Sequence, residues 1–183
     1  IVTSLNFEFL REKRVILADL GGYAEAYAKS NPRACLTELR LFAETIVNEI
    51  YVQSALPKPE YFNFNDCLRH RDFEKLVPEK VRLKADAIRI HGNKAAHGQN
   101  VSNNTSLWIL REAFDLSRWY AKTYLDIQDD QLKNEFIKPA PRDPESEPKR
   151  PIKREVAELR QRVSKLQTRR GGTRGARASV GLV

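Results

Sequence analysis

Three observations predict an all-α fold. Apolar residues recur at helical spacing from about Phe7 to about Leu125. Helix start signals, such as Asn31-Pro32 and Pro78, separate the runs. No alternating β-branched run and no hairpin turn between such runs is found. The expected architecture is a helical bundle of about five helices, followed by a linker and a short coiled-coil helix.

Residues 1–6 read as a frayed start. From Phe7 the chain reads as helix, with Phe9, Val15, Ile16, Leu20, Tyr23 and Tyr27 on roughly helical spacing. Gly21-Gly22 weakens that run and is a candidate division, because glycine costs about 1 kcal/mol in a helix interior. Asn31 suits a cap and Pro32 the first helical position, so a second helix restarts there and runs to about Ser54. Its apolar stripe is Leu36, Leu39, Ala43, Ile46, Val47 and Ile50. Pro57, Pro59 and Tyr61-Phe62-Asn63-Phe64 form a loop, and Asn63 or Asn65 caps a short helix through Leu68. Pro78 opens the next helix, with Val81, Ala85, Ile88 and Ile90 as candidate core positions. Gly98 to Ser106 is a polar loop. A last helix spans about Thr105 to Leu125, rich in aromatics: Trp108, Phe114, Trp119, Tyr120 and Tyr124, beside Leu110 and Leu116.

The helical domain is assigned to residues 5–137. Five prolines then mark a linker over 138–151, too proline-rich and charged to pack. Ile152, Val156, Leu159, Val163 and Leu166 follow at spacings of four and three, a heptad seam that assigns 152–168 to a coiled-coil helix and points to a homo-oligomer such as a dimer. Residues 169–183 lack periodicity and read as a disordered basic tail.

Charge divides along the same line. Of 32 Lys and Arg, 13 lie in 138–183, against 5 of the 24 acidic residues, leaving 19 of each sign in 1–137. Attraction to a polyanion is therefore expected of the tail, through Arg160, Arg162, Lys165, Arg169 and Arg170, and not of the globular part. With 41% hydrophobic and 31% charged residues, and no apolar run near the roughly 18 residues that span a bilayer, the chain reads as soluble, cytoplasmic and without a membrane partner. The N-terminus shows no signal peptide. Cys35 and Cys67 are free to pair, but nothing requires it, and two buried thiols fit a cytosolic chain.

The stretch Ile88 to Gly98 carries the densest chemistry. Small residues let another helix approach closely, and Asn93 and His97, four apart, share one face of a helix. On an inner face such a pair is either a satisfied core network or a reaction site. Arg40 and Glu44 are also four apart, either an ion pair on the helix surface or a partly buried pair reaching Asn93 and His97.

Arg40-x-x-x-Glu44, then Gly92-Asn93-x-x-x-His97, then Trp119-Tyr120-Ala121-x-Thr123-Tyr124 resemble a HEPN-like helical domain of unknown function. That domain is found at the N-terminus of type I restriction enzyme HsdR subunits, the motor and nuclease subunits, and of related helicases. The resemblance covers about residues 5–126. It implies a HEPN-like bundle whose partners are other restriction-system subunits or domains, DNA or RNA.

The wider HEPN superfamily includes metal-independent ribonucleases, marked by an Arg a few residues before a His. The His handles the proton of the 2′-hydroxyl or leaving oxygen, and the Arg stabilises charge building on the phosphate. This chain departs from that signature. Gly92 stands where the Arg is wanted, Arg89 lies eight residues before His97, and Lys94 only three before it. The expectation is a non-catalytic docking module with Arg40, Glu44, Arg89, Asn93 and Lys94 as binding residues. The alternative is a ribonuclease with His97 catalytic and Arg40 or Arg89 standing in for the missing arginine. His97 also reads as a core or capping histidine bonded to Asn93 or Arg40. No cofactor and no metal are expected, since His91 and His97 are six apart and no Cys or carboxylate completes a set. Trp108, Trp119, Tyr120 and Tyr124 read as core, with a base-stacking platform as the other use.

Overall fold

The computed structural model describes residues 2–142 and Pro148. The heptad seam of 152–168 and the basic tail of 169–183 lie outside the described residues. Among the described residues six α-helices follow one 3-10 turn at Glu8–Leu10: α1 Val15–Tyr27, α2 Pro32–Gln53, α3 Phe64–Arg69, α4 Arg71–Leu76, α5 Glu79–Ala96 and α6 Asn103–Tyr124. Among the described residues there is no strand.

The middle helix α2 organises the bundle, with α1, α5 and α6 all packed on it. Its start follows the local chemistry. The Asn31 side chain accepts from the Ala34 amide at 3.1 Å and Pro32 takes the first turn. All six residues of its expected stripe are buried. Asn63 caps α3 by accepting from the Asp66 amide, and Ser102 caps α6 by accepting from that of Thr105.

The N-terminus departs from the sequence expectation. Residues 2–6 are not a frayed end, for Val2, Ser4 and Asn6 are buried. The first long helix begins at Val15, not Phe7, and runs unbroken through Gly21-Gly22. Those glycines serve packing. A Cβ on Gly21 would enter the ring of Phe7, and one on Gly22 would meet the Val2 side chain at 3.0 Å and its carbonyl at 3.1 Å. The helix thus offers bare backbone to the segment that crosses it. Phe7, fully buried, then contacts Phe42 edge-on at 5.1 Å and Phe114 at 6.4 Å.

Two further expectations change. The sixth helix is α4, six residues that bury Phe73 and are too short to show a period; His70 closes α3 and opens α4 with extended backbone. Ile90, expected in the core, is exposed.

The chain beyond α6 returns to the start of the domain. Leu132 is buried and Phe136 lies 5.8 Å from Phe114. Asn6 donates to the Ile137 carbonyl at 2.8 Å and accepts from its amide at 2.7 Å. In the proline-rich segment Pro139 is buried, and the Tyr27 hydroxyl donates to the Pro148 carbonyl at 2.7 Å. The compact unit accordingly extends to Pro148. Among the described residues no helix is long and apolar enough to cross a membrane.

Candidate functional site

The resemblance motifs meet where α5 crosses α2. Gly92 is buried there, and a Cβ in its place would stand 2.5 Å from Arg40 Cβ and 3.1 Å from its Cγ. The glycine is therefore the seat on which the Arg40 stem lies. Arg40 Nη1 sits 3.6 Å from a Glu44 carboxylate oxygen, while Arg40 Nε is buried with no hydrogen-bond partner among the described residues. Gly92→Ala gains helix propensity of about 1 kcal/mol. The arginine stem near its own backbone cannot swing clear, so the net expectation is a loss of about 1–3 kcal/mol, read from chemical denaturation.

Arg89 is committed elsewhere. Its Nε donates to Asp86 at 2.8 Å, and the same carboxylate lies 3.8 Å from Arg69 on α3. Asn93 is half-buried and Lys94 exposed. Asn93 and His97 do not form an inner-face pair, because the helix ends between them. α5 stops at Ala96, Gly98 turns the chain with φ 78°, and His97 stands exposed at the C-cap. Its amide donates to the Asn93 carbonyl at 3.0 Å, but among the described residues its imidazole makes no hydrogen bond with Asn93 or Arg40. Amides of Gly98 and Gln99 satisfy the carbonyls of Ala95 and Lys94 at 3.1 Å.

Two of the hollows among the described residues border these helices. One, of about 370 Å3, lies between the start of α2 and the end of α5 and is lined by Asn31, Arg33, Ala34, Thr37, Ala95 and Ala96. A Cβ on Gly98 would lie 3.7 Å from the Arg33 guanidinium, which puts that cation beside the end of α5. The other, of about 420 Å3, runs between α5 and α6, with Leu83, Ala87 and Trp108 in it and Glu79, Lys80, Lys84 and Glu112 around it. Lys84 is held by Glu112 at 2.8 Å and Asp115 at 3.0 Å. Leu83 is 61% exposed and Trp108 49%. His91 meets the Trp108 ring edge-on at 5.2 Å. Partial burial, then the charge of Lys94, lowers the His91 pKa.

Trp108 thus leaves the core that its helical spacing predicted. Tyr120 fits that prediction: it is buried, with its hydroxyl on Glu49, which also holds Arg14 at 2.6 Å. Trp119 and Tyr124 are half-buried. Cys35 and Cys67 are buried free thiols; burial raises the Cys35 pKa and pushes that of Cys67 up to about 12, so neither supplies a thiolate near neutrality. Among the described residues no group of three or more His, Cys, Asp or Glu is placed to hold a metal ion.

This is an all-helical bundle organised on one central helix, with a glycine-seated arginine at its main crossing. The chain belongs to the family described as DUF4145, a domain of unknown function, which matches residues 23–128. No curated protein and no solved structure matches it.

Proposed function

We propose that the domain is a non-catalytic, HEPN-like docking module of a cytoplasmic type I restriction or helicase-linked DNA defence system, contacting other subunits or nucleic acid. The setting comes from the resemblance of the Arg40–Glu44, Gly92–His97 and Trp119–Tyr124 motifs to the N-terminal domain of HsdR-type subunits. The carrying observation is how the candidate catalytic residues are spent. Arg40 is laid over Gly92 toward Glu44, Arg89 is held by Asp86, and His97 stands apart and exposed. General acid–base chemistry needs a base within hydrogen-bond reach of its proton and a cation on the same phosphate. Neither Arg40 nor Arg89 is offered to His97 in that way, and Leu83 and Trp108 stand exposed in the α5–α6 hollow among charged neighbours.

One observation favours the ribonuclease reading. Arg33, which the motif spacing does not include, lies by the turn that follows His97. Labelled mixed RNA incubated in EDTA with the full chain and with His97→Ala separates the two. The docking reading expects intact RNA with both proteins. Cleavage by the wild type that disappears in His97→Ala would overturn it.

A further inference from the structure

Charge balance over the domain conceals a local imbalance. Residues 1–137 carry equal numbers of each sign, yet the stretches 26–37 and 87–111 contain no Asp or Glu. The fold gathers much of both at one end of the bundle. Ser106 Oγ donates to the Ala28 carbonyl at 2.6 Å, joining the start of α6 to the end of α1. The Arg33 guanidinium beside Gly98 joins the start of α2 to the end of α5. Lys29, Arg33, Lys94 and Arg111 come from these stretches, and among the described residues none of them forms an ion pair. The N-termini of α2 and α6 at this end are matched by the C-termini of α1 and α5, so side chains and not helix dipoles set its charge.

Beside the cations stands an aromatic with nothing over much of its surface. Trp108 is half exposed in the second turn of α6, with His91 against it. Lys94 lies one turn beyond His91, and Arg111 one turn beyond Trp108. Between Arg33 and the end of α5 the hollow is floored by Ala34, Ala95 and Ala96, small enough for a chain backbone to come close. Glu79 and Glu112 also line the hollow beside Trp108, while His91 and Lys94 stand on its other flank. An exposed indole with an unpaired cation near it matches a strand that offers phosphates and unstacked base faces together. In a duplex the base faces are already stacked, so Trp108 would gain little from it.

We infer that this end of the bundle binds a single-stranded nucleic acid, with Arg33 and Lys94 on its phosphates and Trp108 stacked on a base. The inference rests on the docking reading and names one ligand and its site; it also assigns polyanion attraction to the globular part, which the overall charge count reserves for the tail.

The test uses the full chain and a labelled oligo-dT and oligo-U of about 12 nucleotides, beside a duplex of equal length. Arg33→Glu/Lys94→Glu is compared with Lys13→Glu/Lys122→Glu, an equal charge change at exposed positions elsewhere. Fluorescence anisotropy is expected to show single-strand affinity falling at least tenfold more in the first pair than in the control. Its salt slope should fall by about 2. Trp108→Ala should weaken single-strand binding about tenfold and leave duplex binding unchanged. Preference for oligo-dT or oligo-U identifies the strand as DNA or RNA, and either supports the site. Equal losses in both charge-reversed proteins, an unaffected Trp108→Ala, or no binding by the wild type would overturn it. Shortening of the oligo-U strand in EDTA would instead overturn the non-catalytic reading and leave the binding site standing.

Discussion

A chain trimmed to residues 23–128, the span the family shares, should fail to hold a cooperative fold. The trim removes Phe7, Leu10 and Leu17, all fully buried, and Leu20, nearly so. At about 2 kcal/mol for each buried side chain, these four account for about 8 kcal/mol. That is comparable with the whole stability of a typical domain, about 5–15 kcal/mol. At the other end it removes Leu132 and Phe136, and with Asn6 and Ile137 both sides of a two-hydrogen-bond clamp. A chain of residues 1–148 keeps all of these and should melt in one transition near that of the full protein. Circular dichroism during heating decides the matter. A sharp transition for 23–128 would show that the N-terminal segment only decorates an autonomous bundle.

The residues that made the fold legible act locally. Asn31-Pro32 and Ser102 signal helix starts through bonds made within one turn, and the α2 stripe needs only a period. The N-terminal segment was opaque because its polar residues are satisfied far along the chain: Ser4 and Asn6 by Glu25, and Asn6 again by Ile137. Gly21-Gly22 look like helix weakness in isolation, and only the crossing of Val2 and Phe7 shows why side chains are excluded there. In α4 one buried phenylalanine in six residues sets no period.

The candidate site divides in the same way. Close approach at Gly92 and the Arg40–Glu44 pairing follow from residue size and spacing. The direction of His97 does not, since it depends on whether the helix continues past Ala96, and Gly98 ends it. The place of Arg33 and the exposure of Trp108 are not legible in the sequence, for opposite reasons. Arg33 belongs to no spaced motif, and Trp108 sits in an amphipathic helix among aromatics that mostly face inward. That two acid-free stretches share one end of the bundle is visible only once the fold has shown that they meet.

Glu25→Ala should be among the most damaging single substitutions in the domain, at about 3 kcal/mol. Glu25 lies buried on α1, where its carboxylate accepts from Ser4 Oγ at 2.9 Å and from the amides of Leu5 and Asn6, each at 2.7 Å. Ser4 Oγ in turn accepts from the Phe7 amide at 2.8 Å. Removing the carboxylate leaves the buried Ser4 hydroxyl and Asn6 amide without it as acceptor, and each unmet buried donor costs about 1–3 kcal/mol unless the segment leaves the core. Leaving the core would withdraw Val2 and Phe7 from α1 and release Asn6 from Ile137. Burial raises the Glu25 carboxyl above its ordinary value of 4.5, outweighing the opposing pull of its donors. A carboxyl raised in the fold favours folding below its unfolded value, and that contribution disappears as the pH climbs through the folded one. Glu25→Gln keeps the shape without the titration. The stability advantage of the wild type over Glu25→Gln should therefore be widest in acid and narrow as the pH rises out of the carboxylate range. Urea midpoints across that range measure the gap, and a gap that widens with pH would mean that the donors, not burial, govern this carboxylate.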